Sequence, residues 1–408
     1  MDSMTGMSPK PDTYKNPPPL SSSLLEAVLP RESLLPLNLP MSLVLNTTGL
    51  SVLKGTGGEK GLSGQELPMS IYKPDVVRKL IMKDCIKRID IRLDDVISRR
   101  RDILDTGKLL FFTVMYKQFR RDLIQKTVNT SLIKQWNRQH PRQKMDASSD
   151  ASMAWVVKSL SSRTEELALF RRNLLIRLWK EHYDLFQDDE QHKKMGLAEK
   201  LIREMHPLTK YILLAYGKID EVKQLQQDVI DHISLYIRRF DLPEFNSLVL
   251  LEYLQCSERE NLINLYSRIL EQGGKKSTDY PMNDQIRSEL IKRKISPETR
   301  FSFMFEKKNS TSRGMINRIR TIVVSGEKES REINEILFHR DNSKLDKQKI
   351  KDYMEEDGKC DDNYNPEILY YYLSHLEDAC RETGCSFSSF VNCGSDSRLS
   401  MTHLVFDS

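Results

Sequence analysis

Apolar residues in the middle of the chain recur every three or four positions, which places them on one face of an α-helix. Between residues 163 and 272 this spacing is followed by Leu167, Phe170, Leu174 and Leu178, and then by Val222, Leu225, Val229, Ile233, Tyr236 and Phe240. The pair His206-Pro207 interrupts the pattern, because the residue before a proline avoids helical backbone angles. The block therefore predicts a helical core with a break near residue 206.

A second helical pattern precedes this block. Pro74 and Asp75 are suited to the first turn of a helix. Apolar residues then repeat at steps of four and three, the heptad rhythm of a coiled-coil seam, at Met82, Ile86, Ile89, Leu93 and Val96. We expect this helix to end at Gly107 and a second one to run to about residue 140. The pattern predicts a long helical hairpin, and the seam also permits self-association.

The pattern after residue 274 is less regular. Short helical pieces alternate with turns, and residues 321–324 also suit a short strand. Pro366 begins a last helix whose inward side chains are Leu369, Tyr372, Leu373 and Leu376. The predicted fold is mainly α, with a long helical hairpin, a helical bundle-like core, a disordered Pro/Gly-rich N-terminal arm and an acidic C-terminal tail.

Charge divides the chain into five segments. They are a disordered or extended arm rich in Pro, Leu and Gly (1–70), a basic helical hairpin (71–150), a central helical core (151–273), a basic helical extension (274–351), and an acidic helix with a flexible tail (352–408). Their net charges are −1, +9, −2, +8 and −9, so the overall charge of +5 conceals a strong segregation. The acidic tail could lie across a basic segment and compete with an anionic partner.

The arm holds nine of the sixteen prolines and seven of the seventeen glycines, a composition that favours neither regular helix nor sheet. It is nevertheless rich in leucine. Two interpretations fit: the arm lies extended on the folded body, or it docks onto a protein partner. The candidate docking residues are Leu24, Leu25, Leu34, Leu35, Leu37 and Leu39.

The two basic segments indicate an anionic partner, because Lys and Arg near a polyanion release counterions; nucleic acid and anionic lipid both qualify. The alternative is that the charges are the solvated faces of helices. The candidate anion-binding residues are Arg99, Arg100, Arg101, Arg120, Arg121, Trp136, Arg138, Arg142, Lys144, Lys292, Arg293, Lys294, Arg318 and Arg320. Trp136 is the only large aromatic ring inside a basic cluster, which is little for base stacking.

Motifs for catalysis or cofactors are absent from the sequence. The weak candidates for zinc ligands are Cys380, Cys385, Cys393 and His403, but their spacing matches no compact zinc site. The central histidines form no His-Glu-x-x-His pair, and no dinucleotide, kinase or nucleophile-elbow signature occurs. We therefore expect no catalytic residues, no metal and no cofactor.

The function that the sequence favours is that of a non-catalytic, cytoplasmic helical interaction or scaffold protein with a protein partner. Six cysteines in 408 residues indicate a reducing compartment, and prolines interrupt the most apolar stretch, residues 24–45, so it predicts no membrane span. Peripheral membrane contact stays open. One alternative is a nucleic-acid-binding protein, with or without a regulatory role, that uses segments 71–150 and 274–351; another is a helical metal-dependent enzyme.

Overall fold

The structure is a computed structural model that describes residues 39–50, 66–69, 74–272, 299–311, 314–326, 366–393 and 399–408. Helix predominates, which confirms the mainly α assignment in coarse terms. The residues pack into two compact units. The sheet unit combines Arg31–Gln118 with Asp241–Ser408, and the helical unit contains Phe119–Phe240. The five-segment division by charge stays a prediction, since these units group residues by packing.

The helices are α1 (Pro74–Met82), α2 (Arg100–Val128), α3 (Ser131–Gln139), α4 (Asp150–Ser161), α5 (Thr164–Glu181), α6 (Gln191–Glu204), α7 (Pro207–Ala215), α8 (Asp220–Arg238), α9 (Leu242–Gln272) and α10 (Pro366–Glu382). The strands are β1 (Met41–Leu45), β2 (Glu66–Met69), β3 (Ile86–Leu93), β4 (Thr299–Ser310), β5 (Gly314–Gly326), β6 (Ser386–Cys393) and β7 (Leu399–Asp407). Within the described residues these seven strands form one antiparallel sheet in the order β2-β1-β3-β4-β5-β7-β6.

One face of the sheet is apolar and is covered by helix. Side chains alternate between the two faces of a strand, and Ile89 of β3 lies opposite the fully buried Phe303 of β4. Phe111 of α2 meets Phe303 edge to face, with ring centroids 6.3 Å apart, and meets Phe406 of β7 at 5.8 Å. These aromatic contacts place α2 against the middle of the sheet.

The sheet corrects most of the sequence prediction for this unit. The supposed heptad seam from Met82 to Val96 runs through β3, whose residues pair with β1 and β4. There is thus no helical hairpin or coiled-coil seam over 86–93, because Ile89, Ile91 and Leu93 also alternate with a period of two and are buried as a strand. Strand partners more than 200 residues away decide between the two periods.

Two further segments differ from expectation in the same way. The described part of the basic extension is the hairpin β4–β5, so the strand alternative for residues 321–324 is confirmed. The final helix is confirmed as α10, with Leu373 and Leu376 fully buried. The described part of the tail after it contains β6 and β7, which pair with each other, and β7 also pairs with β5.

The helical unit agrees better with the sequence. Along α8 the predicted face is buried, from Val222 and Leu225 to Tyr236. The break at His206-Pro207 is confirmed: α6 ends at Glu204 and α7 begins at Pro207, with the His206 ring accepting a hydrogen bond from the Leu208 amide at 3.2 Å.

Gly107 lies inside α2 rather than at a helix end, where helix α9 comes close. A Cβ atom on Gly107 would lie 2.6 Å from Oγ and 3.0 Å from Cβ of Ser247 on α9. The next residue, Lys108, forms an ion pair of 2.6 Å with Glu244. Gly107 therefore serves close helix packing, a role that outweighs its low helix propensity.

We expect Gly107→Ala to lower the free energy of unfolding by about 1–3 kcal/mol, because the added methyl overpacks the contact with Ser247. Chemical denaturation of the full chain measures this change. In a Ser247→Ala background the same replacement should cost less, since the nearest atom is gone. Equal costs in the two backgrounds would contradict the proposed contact.

Candidate anion-binding cleft

The sheet unit contains a cleft of about 380 Å³, which is at the small end of the range for ligand pockets. It lies where the C-terminal end of α1, a turn of α2 and the β4–β5 pair come together. The lining residues are Asn46, Thr48, Ile81, Asp84, Ile86, Lys87, Val114, Lys117, Phe305, Glu306, Lys307, Asn317 and Arg318. The lining thus contains three lysines and one arginine together with two carboxylates.

Asp84 is placed in the cleft by the way α1 ends. The Asp84 amide donates to the Ile81 carbonyl at 3.0 Å and the Cys85 amide to the Leu80 carbonyl at 2.9 Å, the two bonds of a Schellman motif. Asp84 occupies the left-handed position of this motif, with φ +55°, where glycine is the usual residue. The side chain of Asn46 donates to the Asp84 carbonyl. An aspartate here accepts some backbone strain and places a carboxylate at the helix end.

Two lysines from distant parts of the chain hold the Asp84 carboxylate. Lys117 of α2 forms an ion pair with one oxygen, and Lys307 of β4 lies 2.9 Å from the other. Lys117 also donates to the Ile81 carbonyl at 3.1 Å. Partial burial alone raises the pKa of Asp84, but hydrogen bonds and charges from both lysines outweigh it and keep the pKa below its usual value. The carboxylate is therefore ionised at neutral pH.

Asn317 supplies a donor without an acceptor. It is the cross-strand partner of Lys307, so the two side chains lie on the same face of the β4–β5 pair. Asn317 is 4% exposed, and its side-chain Nδ2 has no hydrogen-bond partner in the part of the chain that the structure describes. Because a buried N–H without a partner costs free energy, this atom indicates that an acceptor belongs in the cleft.

These features together favour an oxyanion. Lys117 and Lys307 share the single carboxylate of Asp84, so these three side chains together carry one surplus positive charge. Lys87 adds a further positive charge to the lining. A phosphate or carboxylate group would accept hydrogen bonds from the lysines and from Asn317. The site can bind and orient such a group.

The arginines of β5 that the sequence suggested for anion binding are engaged within the sheet unit. Arg318 binds Asp407 through two bonds of 2.6 and 2.8 Å, and this pairing raises the pKa of the guanidinium despite partial burial. Arg320 lies 3.1 Å from Glu306. Arg318 also borders the cleft, but its side chain shares a face of the β4–β5 pair with Glu306 and lies opposite the face of Lys307 and Asn317.

The other suggested cations are dispersed. Arg99, Arg100 and Arg101 lie at the start of α2, where Arg99 pairs with Asp102 at 3.3 Å. In the helical unit, Trp136 stacks on His140 with ring centroids 4.0 Å apart, and its indole N–H donates to the Gln143 carbonyl. Arg120 and Arg121 lie on α2, and three further positions are exposed: Arg138, Arg142 and Lys144. The last three candidates lie outside the described residues: Lys292, Arg293 and Lys294.

Among the suggested docking leucines, Leu39 is described and is fully buried just before β1. Leu24, Leu25, Leu34, Leu35 and Leu37 lie outside the described residues. The end of the arm therefore forms part of the sheet unit, because β1 pairs with both β2 and β3.

The weak metal candidates do not form a cluster in the described part of the chain. Cys380 and Cys385 are buried and form no disulfide within the described residues, and His403 stacks on Phe390 at 4.8 Å. The side chain of Cys393 is outside the described set. No group of three or more His, Cys, Asp or Glu side chains suited to a metal ion occurs among the residues that the structure describes.

Most of the cleft was not recognised from the sequence. Lys307 belongs to a basic pair, but Asp84, Lys117 and Asn317 carry no motif and come from separate elements. The one local signal is an aspartate directly after a helix end, where glycine or asparagine is expected.

We expect Asp84→Asn to lower the free energy of unfolding by about 1 kcal/mol at pH 7, because the ion pairs with Lys117 and Lys307 are lost while asparagine still tolerates the backbone angle. The folded-state pKa of Asp84 is below its usual value of 3.8, so this stabilisation is complete above that pH and is lost as the pH falls further. Denaturant unfolding of both proteins from pH 7 down to pH 3 measures it. A difference that grows on acidification would contradict the assignment.

Within the described residues, no helix combines the length and the apolar character needed to cross a membrane. No solved structure matches the chain. An uncharacterized protein of Treponema pallidum (strain Nichols) is 21% identical over 387 residues, which cover 91% of this chain and 97% of the relative. The model of a family of unknown function, DUF8084, matches residues 32–408, and the chain belongs to that family.

Proposed function

We propose that the protein is a non-catalytic interaction protein that binds an acidic group of a protein partner in the cleft of the sheet unit. The observation that carries the proposal is the unpartnered Nδ2 of Asn317 beside Lys307. A cleft of about 380 Å³ accommodates one acidic side chain or phosphorylated residue. The lysines supply attraction, and Asn317 supplies a directed hydrogen bond.

The chemistry of the lining supports binding rather than catalysis. Among the described lining residues there is no histidine, cysteine, serine or tyrosine. The Asp84 carboxylate is a weak base at neutral pH, because Lys117 and Lys307 hold its pKa below the usual value. The described lining therefore offers no histidine or cysteine for proton transfer or nucleophilic attack, which supports a binding role.

The surroundings of Trp136, the aromatic ring in the basic region, favour an acidic protein partner over nucleic acid. A stacking platform needs an available ring face and a groove that follows the strand. One face of Trp136 is covered by His140, and its N–H already has an acceptor. A cytoplasmic location is part of the proposal, and the low cysteine content of six in 408 residues supports it.

The test is fluorescence anisotropy of the full chain with three labelled probes: an Asp/Glu-rich peptide, a phosphoserine peptide and single-stranded DNA. We expect Lys307→Met to weaken peptide binding about tenfold or more, because it removes a charge-assisted hydrogen bond worth about 1.5–3 kcal/mol.

Lys308→Met is the matched control. Lys308 follows Lys307 on β4, points to the other face of the sheet and lies 3.7 Å from Asp407. It should leave peptide affinity nearly unchanged. Equal losses in the two variants would show that only general positive charge attracts the peptide. DNA binding tighter than peptide binding would favour the nucleic-acid alternative.

A further inference from the structure

The helical unit holds a second group of cations, away from the lining of the cleft. Lys210 of α7 is 9% exposed, and its ammonium donates to the backbone carbonyl of Arg203 at the end of α6. A buried ammonium is normally paired with a carboxylate. In the described part of the chain, neither Lys210 nor the half-buried Arg120 and Arg171 forms an ion pair with a carboxylate.

Packing brings α2 to this end of α7. The hydroxyl groups of Thr127 on α2 and Thr209 on α7 are hydrogen-bonded at 2.9 Å, and both are buried. Arg120 precedes Thr127 by seven residues, so it lies on the same side of α2, two turns earlier. The positive charge of Arg120 acts on both Lys210 and His206.

Helix α5 contributes the third cation. The charge of Arg171 acts on Lys210, and the Nε of Arg171 is buried without a hydrogen-bond partner among the described residues. An orphaned guanidinium N–H in a buried position indicates a missing acceptor, as Asn317 does in the sheet unit.

The electrostatic consequence is visible on two groups. Burial, together with the charges of Arg171 and Arg120, lowers the pKa of Lys210 to about 8, although Glu204 opposes the shift. Burial and the charges of Arg120 and Lys210 lower the pKa of His206 to about 4. The cations repel one another, and a bound anion would relieve that repulsion.

We propose that Arg120, Arg171 and Lys210 form a binding site for the oxyanion group of a small phosphate- or carboxylate-bearing ligand. Guanidinium groups suit oxyanions because their N–H donors match two oxygens at once. The N-terminus of α7 adds the favourable end of a helix dipole. This site is independent of the cleft, which belongs to the other unit.

The test follows the reactivity of Lys210 itself, so binding in the cleft does not affect the readout. The full chain is labelled at pH 8 with trace acetic anhydride, and the extent of acetylation at Lys210 and at the exposed Lys158 is read by peptide mass spectrometry. The probes are inorganic phosphate and acetate, each compared with sodium chloride at equal ionic strength.

A bound anion should raise the pKa of Lys210 by about one unit, which reduces its acetylation at pH 8 roughly fivefold. Protection by phosphate alone would assign phosphate ligands, and protection by both probes would assign carboxylates as well. Lys158 should not respond. Lys210 labelling that is the same in phosphate, acetate and chloride would overturn the proposal.

The variant Arg171→Met should abolish the protection, whereas Arg172→Met, at an exposed position of the same helix, should retain it. Arg120→Met serves as a second variant if Arg171→Met does not fold. Protection that persists in both Arg171→Met and Arg120→Met would also overturn the proposal, because the anion would then be bound elsewhere.

Discussion

The antiparallel pairing of β3 with β4 is the interaction on which the sheet unit depends. It joins Ile89 to Phe303 and Ile91 to Phe301, and so connects two parts of the chain that residues 119–240 of the helical unit separate in sequence. The cleft is a product of this pairing. Asp84 stands just before β3, while Lys307 belongs to β4, and the ion pair between them can form only once the strands are in register. The fold and the site therefore rest on the same backbone hydrogen bonds.

The two cationic sites differ in whether a carboxylate of the chain neutralises part of their positive charge. In the cleft, Lys117 and Lys307 share Asp84, a carboxylate supplied by the chain, which balances part of their positive charge without a ligand. Around Lys210 no ion pair with a carboxylate forms among the described residues, and burial, together with the neighbouring positive charges, lowers the pKa values of Lys210 and His206. The first arrangement is stable when empty, whereas the second lowers stability until an anion arrives.

Sequence periodicity predicted the parts of the fold whose contacts are local. Val222, Leu225 and Val229 repeat along a helix that is buried on one side, and no distant partner can change that pattern. Ile86, Ile89 and Leu93 satisfy a helical period and a strand period at once, so their structure is decided by β1 and β4. The cleft was beyond sequence reasoning for the same reason, since Asp84, Lys117 and Asn317 are neighbours only in space. The basic composition did indicate anion binding. It did not indicate that Arg318 and Arg320 form ion pairs within the chain, or which other cations remain available to a ligand.

The position of β7 has a consequence for biosynthesis. Every other strand that the structure describes precedes it in the chain, yet it lies between β5 and β6. Phe406 of β7 is opposite Ile319 on one side and Phe387 on the other. During translation the edge of β5 therefore stays unpaired until the ribosome has released β7, and such edges recruit other chains. Because these contacts are also distant in sequence, the sheet should close slowly. Newly made molecules are thus exposed to aggregation longest along β5, and a chaperone that shields this edge would improve the yield of folded protein.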